Sequence, residues 1–273
     1  MKHRETLFTS LFRKRLRHFS WPLSAIEVTG ELRKADFPLE ARVKRTRYPF
    51  RVMRYWWAGC AIRDEARGKN ESLVVVDAGC ERGMMKRLTP QSQRCRWIGL
   101  DKHINRRHLQ SLGYDQALTC DFSQGLPLRV NTADVIVCLH VLEHMADPKS
   151  VMDEFARILR PGGVLLVTVP VLPRLFARIR QRQFENQLRL GKRQHGHHVY
   201  AFSPGILRSI AKETGLEAEF MAGSHFLRWS GNLLENYKLW ARINHFWGAL
   251  FPAFGRELFV LFRFNETALG PKS

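Results

Sequence analysis

Three carboxylates and three histidines stand where an open α/β sheet would gather them. Asp77 follows the β-branched run Leu73-Val-Val-Val76, and Gly79 and Gly83 come after it with Cys80 between them. A strand running into a glycine turn offers free backbone dihedrals and close approach, as a nucleotide-like cofactor requires. Asp101 closes the next apolar segment about twenty residues on, where a carboxylate accepts both hydroxyl protons of a ribose. Asp121 and Phe122 close a third, an acid for an adenine amino group and a ring to stack on it. His140 ends a fourth apolar run, at the edge where such sheets place reactive groups. With His144 and His198 it forms the set of candidate bases for taking a proton from a nucleophile.

The elements that must position these residues are legible from spacing. Strands are expected over Leu73–Val76, Arg96–Asp101, Gln116–Cys120, Ala133–Leu139 and Val164–Val169. A helix is expected from Pro148 to about Leu159, stopped by Arg160-Pro-Gly-Gly163. Ser203-Pro204 reads as the cap and first turn of a later helix. Strand and helix alternate at βαβ spacing, which predicts a parallel sheet with helices on both faces.

The ordered set DAGCERG (Asp77–Gly83), GLD (Gly99–Asp101), CDF (Cys120–Phe122), VLEHMADP (Val141–Pro148), LRPGG (Leu159–Gly163) and HHVYAFSPGIL (His197–Leu207) resembles the class I S-adenosylmethionine-dependent methyltransferases, in the broad group with quinone and small-molecule enzymes. The resemblance spans about Ser72 to Phe264. It implies a Rossmann-like, doubly wound, mostly parallel seven-stranded sheet with an antiparallel final strand at Leu258–Phe264. It also implies S-adenosylmethionine as cofactor. Asp77, Gly79, Cys80 and Gly83 would hold its amino acid end, Asp101 its ribose, Asp121 and Phe122 its adenine, with His140 beside it. Glu81 departs from the glycine common in relatives, and its side chain must point away from the methionine carboxylate. Some quinone O-methyltransferases bind a divalent cation through an acidic version of His140-Glu143-His144. With His first in that triplet no metal site is expected, and none at His195-Gly-His197-His198.

Charge divides the chain. The net charge is +19, and residues 1–70 hold 17 basic against 7 acidic residues, a net +10. Residues 171–193 hold 7 against 1, a net +6, whereas 71–170 hold 12 against 11. The expected organisation is a basic helical arm over 1–70 and a cofactor-binding domain over 71–273, with a basic lid insertion at 171–203 and a helical insertion at 230–255. In the arm, Leu7, Phe8, Leu11, Phe12, Leu16 and Phe19 recur at helical spacing among Arg4, Arg13, Lys14 and Arg17, a pattern that either lies on lipid headgroups or packs on the enzyme. Arginines and aromatics interleave over Arg45–Trp57, able to hold nucleic acid or to cap the pocket. In the lid, Leu175, Phe176, Ile179, Phe184 and Leu188 alternate with five arginines, suiting an acidic or lipid-anchored substrate. The stripe Leu233, Tyr237, Trp240, Ile243, Trp247, Leu250 and Phe251 reads as a core or dimer contact.

No apolar run is long enough to span a bilayer, no clean signal peptide opens the chain, and the five cysteines lack metal spacing. Reduced thiols and a cytoplasmic protein, peripheral to the inner membrane face, are expected. The expected activity is methyl transfer to oxygen, nitrogen or carbon of a small-molecule or lipid-linked acceptor, at an anionic membrane surface. The alternatives are an RNA methyltransferase and an inactive cofactor-binding scaffold. No Asn-Pro-Pro-Tyr motif follows the fourth strand, which makes nucleic acid the weaker partner. The sequence leaves the oligomeric state open.

Overall fold

The computed structural model describes residues 50–67, 69–88, 95–192, 197–226 and 233–265. The amphipathic stretch from Leu7 to Phe19, and His195, lie outside them. The apolar runs become β1 (Leu73–Ala78), β2 (Cys95–Asp101), β3 (Gln116–Thr119), β4 (Ala133–Leu139) and β5 (Leu159–Pro170), joined by β6 (Leu216–Ser224) and β7 (Glu257–Phe264). Their order across one seven-stranded sheet is β3-β2-β1-β4-β5-β7-β6. β1 to β5 pair parallel, and β7 lies antiparallel between β5 and β6. The expected architecture is therefore found. Strand order reverses at β1, so the chain leaves β1 and β4 in opposite directions and opens a crevice at their carboxyl ends.

Seven α-helices are described: α1 (Phe50–Ala66), α2 (Met84–Leu88), α3 (Arg106–Ser111), α4 (Pro148–Ile158), α5 (Arg174–Arg189), α6 (Pro204–Glu213) and α7 (Lys238–Leu250). Alternate strand residues feed two core layers. Val76, Ile136 and Val167 meet Phe155 of α4 and Leu207 of α6 on one face. Val75, Val135 and Leu166 meet Trp57 of α1 and Trp97 on the other. Trp57 is fully buried and stands edge-on to Phe259, with ring centroids 5.4 Å apart. Burial of a side chain this large contributes about 2 kcal/mol or more. The α1 segment, which sequence places in the arm, is thus fastened to the sheet.

Local chemistry sets the ends of α4. The Asp147 carboxylate accepts from the Lys149 and Ser150 amides at 3.1 and 3.2 Å, and Pro148 fills the first turn. The helix stops at Ile158, because Leu159 already pairs with Ala133 as part of β5. The capping role expected of Ser203 is present, its hydroxyl accepting from the Ile206 amide at 3.2 Å.

Two helices carry large apolar residues outward. On α7 the apolar stripe does not enter the core: Tyr237, Ile243, Trp247, Leu250 and Phe251 are exposed, and Ala241, Asn244, His245 and Gly248 are the buried face. The reason is close approach, since a Cβ on Gly248 would meet the Ser224 and His225 backbone at 2.8 Å. On α5, only Ala177 and Phe184 are buried, packing near Ala201 and Ile206, while Leu175, Phe176 and Ile179 face outward. Among the described residues no helix is long and apolar enough to cross a membrane. All five cysteines are free thiols.

Candidate active site

The β1 turn is built by its glycines and anchored to β2. Gly79 has φ +83° and Gly83 φ +69°, both left-handed, and a Cβ on Gly83 would sit 2.6 Å from Leu112 Cδ1. A Cβ on Gly79 would run into the Val141 side chain. The Gly79 and Cys80 amides donate to the Leu100 carbonyl at 2.8 and 3.2 Å, and the Glu81 amide donates to Asp101 Oδ2 at 2.9 Å. Glu81 itself is left-handed, φ +39°, which explains why glycine suits the position. Its side chain is 75% exposed beside Arg82, pointing outward as cofactor binding requires.

The predicted carboxylates occupy three different environments. Asp101, at the carboxyl end of β2, also accepts from the His103 amide at 3.1 Å. Each of its oxygens is oriented by one backbone donor and keeps acceptor capacity for a diol. Asp121 accepts from the Ser123 hydroxyl and amide at 2.7 and 3.0 Å and from Lys102 Nζ at 3.1 Å. These donors, Ser123 first, hold its carboxyl down at about 2. Asp77 is buried beneath the turn, where it accepts a hydrogen bond from the Tyr114 hydroxyl. Burial lifts its carboxyl to about 7 despite that bond, and Asp101 adds to the rise.

Two cofactor candidates face inward. The Cys80 thiol is buried, 3.0 Å from where a Cβ on Gly99 would lie, and burial raises its pKa. Phe122 is buried edge-on to Phe155, 6.4 Å between centroids, within the core layer rather than in the crevice.

The histidines form a second group. His140 sits just beyond β4 with φ +58°, its amide bonded to the Thr168 carbonyl at 2.9 Å. Its Nδ1 lies 2.9 Å from Glu143 Oε1 and its Nε2 lies 2.8 Å from Glu257 Oε1. Arg54 of α1 completes the chain, its Nε 2.9 Å from the same Glu257 oxygen. Burial pulls the His140 pKa down, but Glu257, and then the bond to Glu143, outweigh burial and Arg54, so the net shift is upward. The imidazole has a carboxylate on each nitrogen, which favours its protonated form.

Residues 142–144 form a short 3₁₀ turn rather than an α-helix. It brings His144 to His198, the rings edge-to-face with centroids 5.0 Å apart. Glu143, His144 and His198 have ligand-type atoms all within 4.8 Å of one another. One carboxylate and two imidazoles at that range can share a cation or pass a proton. The Glu143 carboxylate is closest to His140, with His198 Nε2 at 4.0 Å. His144 Nδ1 is buried without a hydrogen-bond partner among the described residues.

His144 and His198 open onto a cavity of about 580 Å³, walled by Val171, Leu172, Phe184, Tyr200 and Phe202. It lies past the carboxyl end of β5, where Pro170 and Val171 line it. Sequence reasoning overlooked Tyr114 and Glu257, and named Arg54 only within the interleaved stretch Arg45–Trp57. The signal for Glu257 was present, a lone acid opening the apolar strand Leu258–Phe264.

Comparison with known proteins agrees with this geometry. The family model described as a methyltransferase domain matches residues 52–219. The ubiquinone biosynthesis O-methyltransferase of Bordetella avium is 26% identical over 194 residues, covering 65% of this chain and 78% of that protein. The enzyme of the same name from Psychrobacter arcticus is 30% identical over 165 residues, 56% and 62% of the two chains. In fold the chain is similar to a proposed sarcosine dimethylglycine methyltransferase from Galdieria sulphuraria, with TM-score 0.55 and 19% identity over 80% of this chain and 89% of that one. A family match over more than half of the chain, on this sheet order and this glycine turn, places the protein in the methyltransferase-domain family as an S-adenosylmethionine-dependent methyltransferase.

Proposed function

We propose that the enzyme methylates a small, lipid-linked acceptor at an anionic membrane surface, as part of the cytoplasmic machinery. The observation that carries this reading is the outer face of α5, where Leu175, Phe176 and Ile179 are exposed among Arg174, Arg178 and Arg182, beside the cavity that holds His144 and His198. A basic amphipathic helix of this kind suits a headgroup layer. The relatives named for ubiquinone biosynthesis act in a pathway whose product name denotes a quinone, which supports a ring-bearing acceptor.

The cofactor supplies an electrophilic methyl group when bound. In this reading Gly79, Gly83 and the Cys80 backbone shape the bed for its methionine end, with Asp77 beneath as a buried counter-charge. Asp101 accepts from the ribose hydroxyls, while Asp121 borders adenine and Phe122 supports it from the core beneath. His140, fixed by two carboxylates, positions the floor between the two pockets. Proton removal from the acceptor falls to His144 or His198, since the ring nitrogens of His140 are both engaged. The apolar walls align the nucleophile and exclude water.

The test is transfer of radiolabelled methyl into a host extract divided into lipid and RNA fractions, with wild type and Asp101→Ala. Label in the lipid fraction with wild type alone supports the proposal, together with flotation on phosphatidylglycerol vesicles that Leu175→Asp/Phe176→Asp abolishes. Label confined to RNA, or label without flotation, overturns the membrane reading.

A further inference from the structure

The charges lining the cavity are one-sided. Arg180 of α5 and Arg256, the residue before β7, line it together with His144, His197 and His198, and no Asp or Glu is among the lining residues. Elsewhere the arginines seated on the sheet are paired: Arg54 with Glu257, Arg157 with Glu154, Arg160 with Asp134, and Arg263 with Glu65 and Glu219. Arg180 and Arg256 have no carboxylate within ion-pair distance among the described residues. Arg180 reaches only Gln183 Oε1 at 3.1 Å and lies over the Phe184 ring at 4.9 Å, a buried platform that holds the guanidinium in place. Arg256 has its backbone pinned, its amide donating to the Ser224 and His225 carbonyls at 2.8 and 3.2 Å and its carbonyl accepting from Val171. Its neighbour Glu257 is turned inward to Arg54 and His140, so it does not neutralise Arg256.

We infer that Arg180 and Arg256 form an anion subsite in the acceptor cavity, which selects an acceptor carrying a carboxylate or phosphate on an apolar, ring-sized body. Planar guanidinium groups suit both anions, whose oxygens take paired N–H donors. The apolar walls, Val171, Leu172, Phe184 and Phe202, take the body, and the volume matches a small molecule. The inference rests on the proposed function for the identity of this cavity as the acceptor site, but anion binding itself is independent of methyl transfer.

The experiment uses the full chain saturated with S-adenosylhomocysteine. Calorimetry measures 2-naphthoate, 1-naphthyl phosphate and the neutral 2-naphthamide against wild type, Arg180→Gln, Arg256→Gln and the double variant. Arg182→Gln, also on α5 but outside the cavity, is the control. The expected result is that both anions bind at least about tenfold more tightly than the amide, a preference worth about 1.4 kcal/mol. Each cavity variant removes much of that preference, the double variant all of it, and Arg182→Gln none. Equal binding of naphthoate and naphthamide, or anion binding intact in the double variant, overturns the subsite. A parallel arm with phosphatidylglycerol vesicles separates the sources of the anion: vesicle binding lost in the double variant without any naphthoate binding assigns the two arginines to the lipid surface and overturns the cavity site. Weak S-adenosylhomocysteine binding would count against the cofactor site alone, so the two failures are distinguishable.

Discussion

At the scale of single residues, position in the sheet decides what each candidate can do. Asp77 and Asp101 look alike in sequence, each an acid closing an apolar run, yet one is buried under the turn and the other stands at its rim. Spacing announced both residues, but not the difference, because it depends on Tyr114, whose hydroxyl covers Asp77 from a loop 37 residues away. The raised Asp77 pKa has a definite sign. A carboxyl that holds its proton more tightly when folded gives stability that is full below the unfolded value, 3.8, and lost as pH rises through about 7. Asp77→Asn removes that loss. The difference in Tm, variant minus wild type, should grow more positive from pH 5.5 to pH 8, with up to about 1.4 kcal/mol per pH unit at stake. A Tm difference that is flat with pH would show that the carboxyl is ionised throughout. Cofactor affinity should fall in the same variant if the buried charge serves the methionine amino group.

At the scale of elements, the strands were plain and the helix faces were not. Interior parallel strands are nearly continuous apolar runs bounded by turn residues, and β2 and β4 fall within a residue of their expected bounds, β1 within two. Of the two readings of the α7 stripe, core or dimer contact, the structure sets aside the core, because periodicity reports where large apolar residues lie, whereas close packing here needs small ones. Gly248 is the point of contact, and its space is already filled by the backbone of Ser224 and His225. Gly248→Ala should therefore lift α7 from β6 and cost about 1–3 kcal/mol, the usual cost of overpacking, measured by chemical denaturation. Trp247→Ala, on the exposed side of the same helix, should cost far less. Equal losses would mean that the exposed stripe, not the glycine, carries the helix. Position 225 was equally hidden from sequence. His225 takes a left-handed backbone conformation there, φ +60°.

At the scale of the whole molecule, the βαβ order and its reversal could be read from the sequence, since alternation and motif order constrain topology strongly. The closure of the fold could not, because it depends on a pair 203 residues apart: Arg54 on α1 and Glu257 at the start of β7. Both are buried, and the same carboxylate holds His140. Glu257→Gln leaves the guanidinium without its counter-charge, so a loss of about 3–5 kcal/mol is expected. The His140 pKa, followed by NMR, should fall in the variant, because its main upward influence is gone. Unchanged stability and an unchanged His140 titration would show that the triad is incidental. The arrangement also sets an order of assembly. A chain emerging from the ribosome delivers the glycine turn, both rim acids and all three histidines long before residue 257. Until β7 has been synthesised and inserted between β5 and β6, Arg54 has no carboxylate and His140 only one of its two. A chain cut before β7 would carry the glycine turn, the rim acids and the histidines, yet leave Arg54 and His140 without the Glu257 carboxylate.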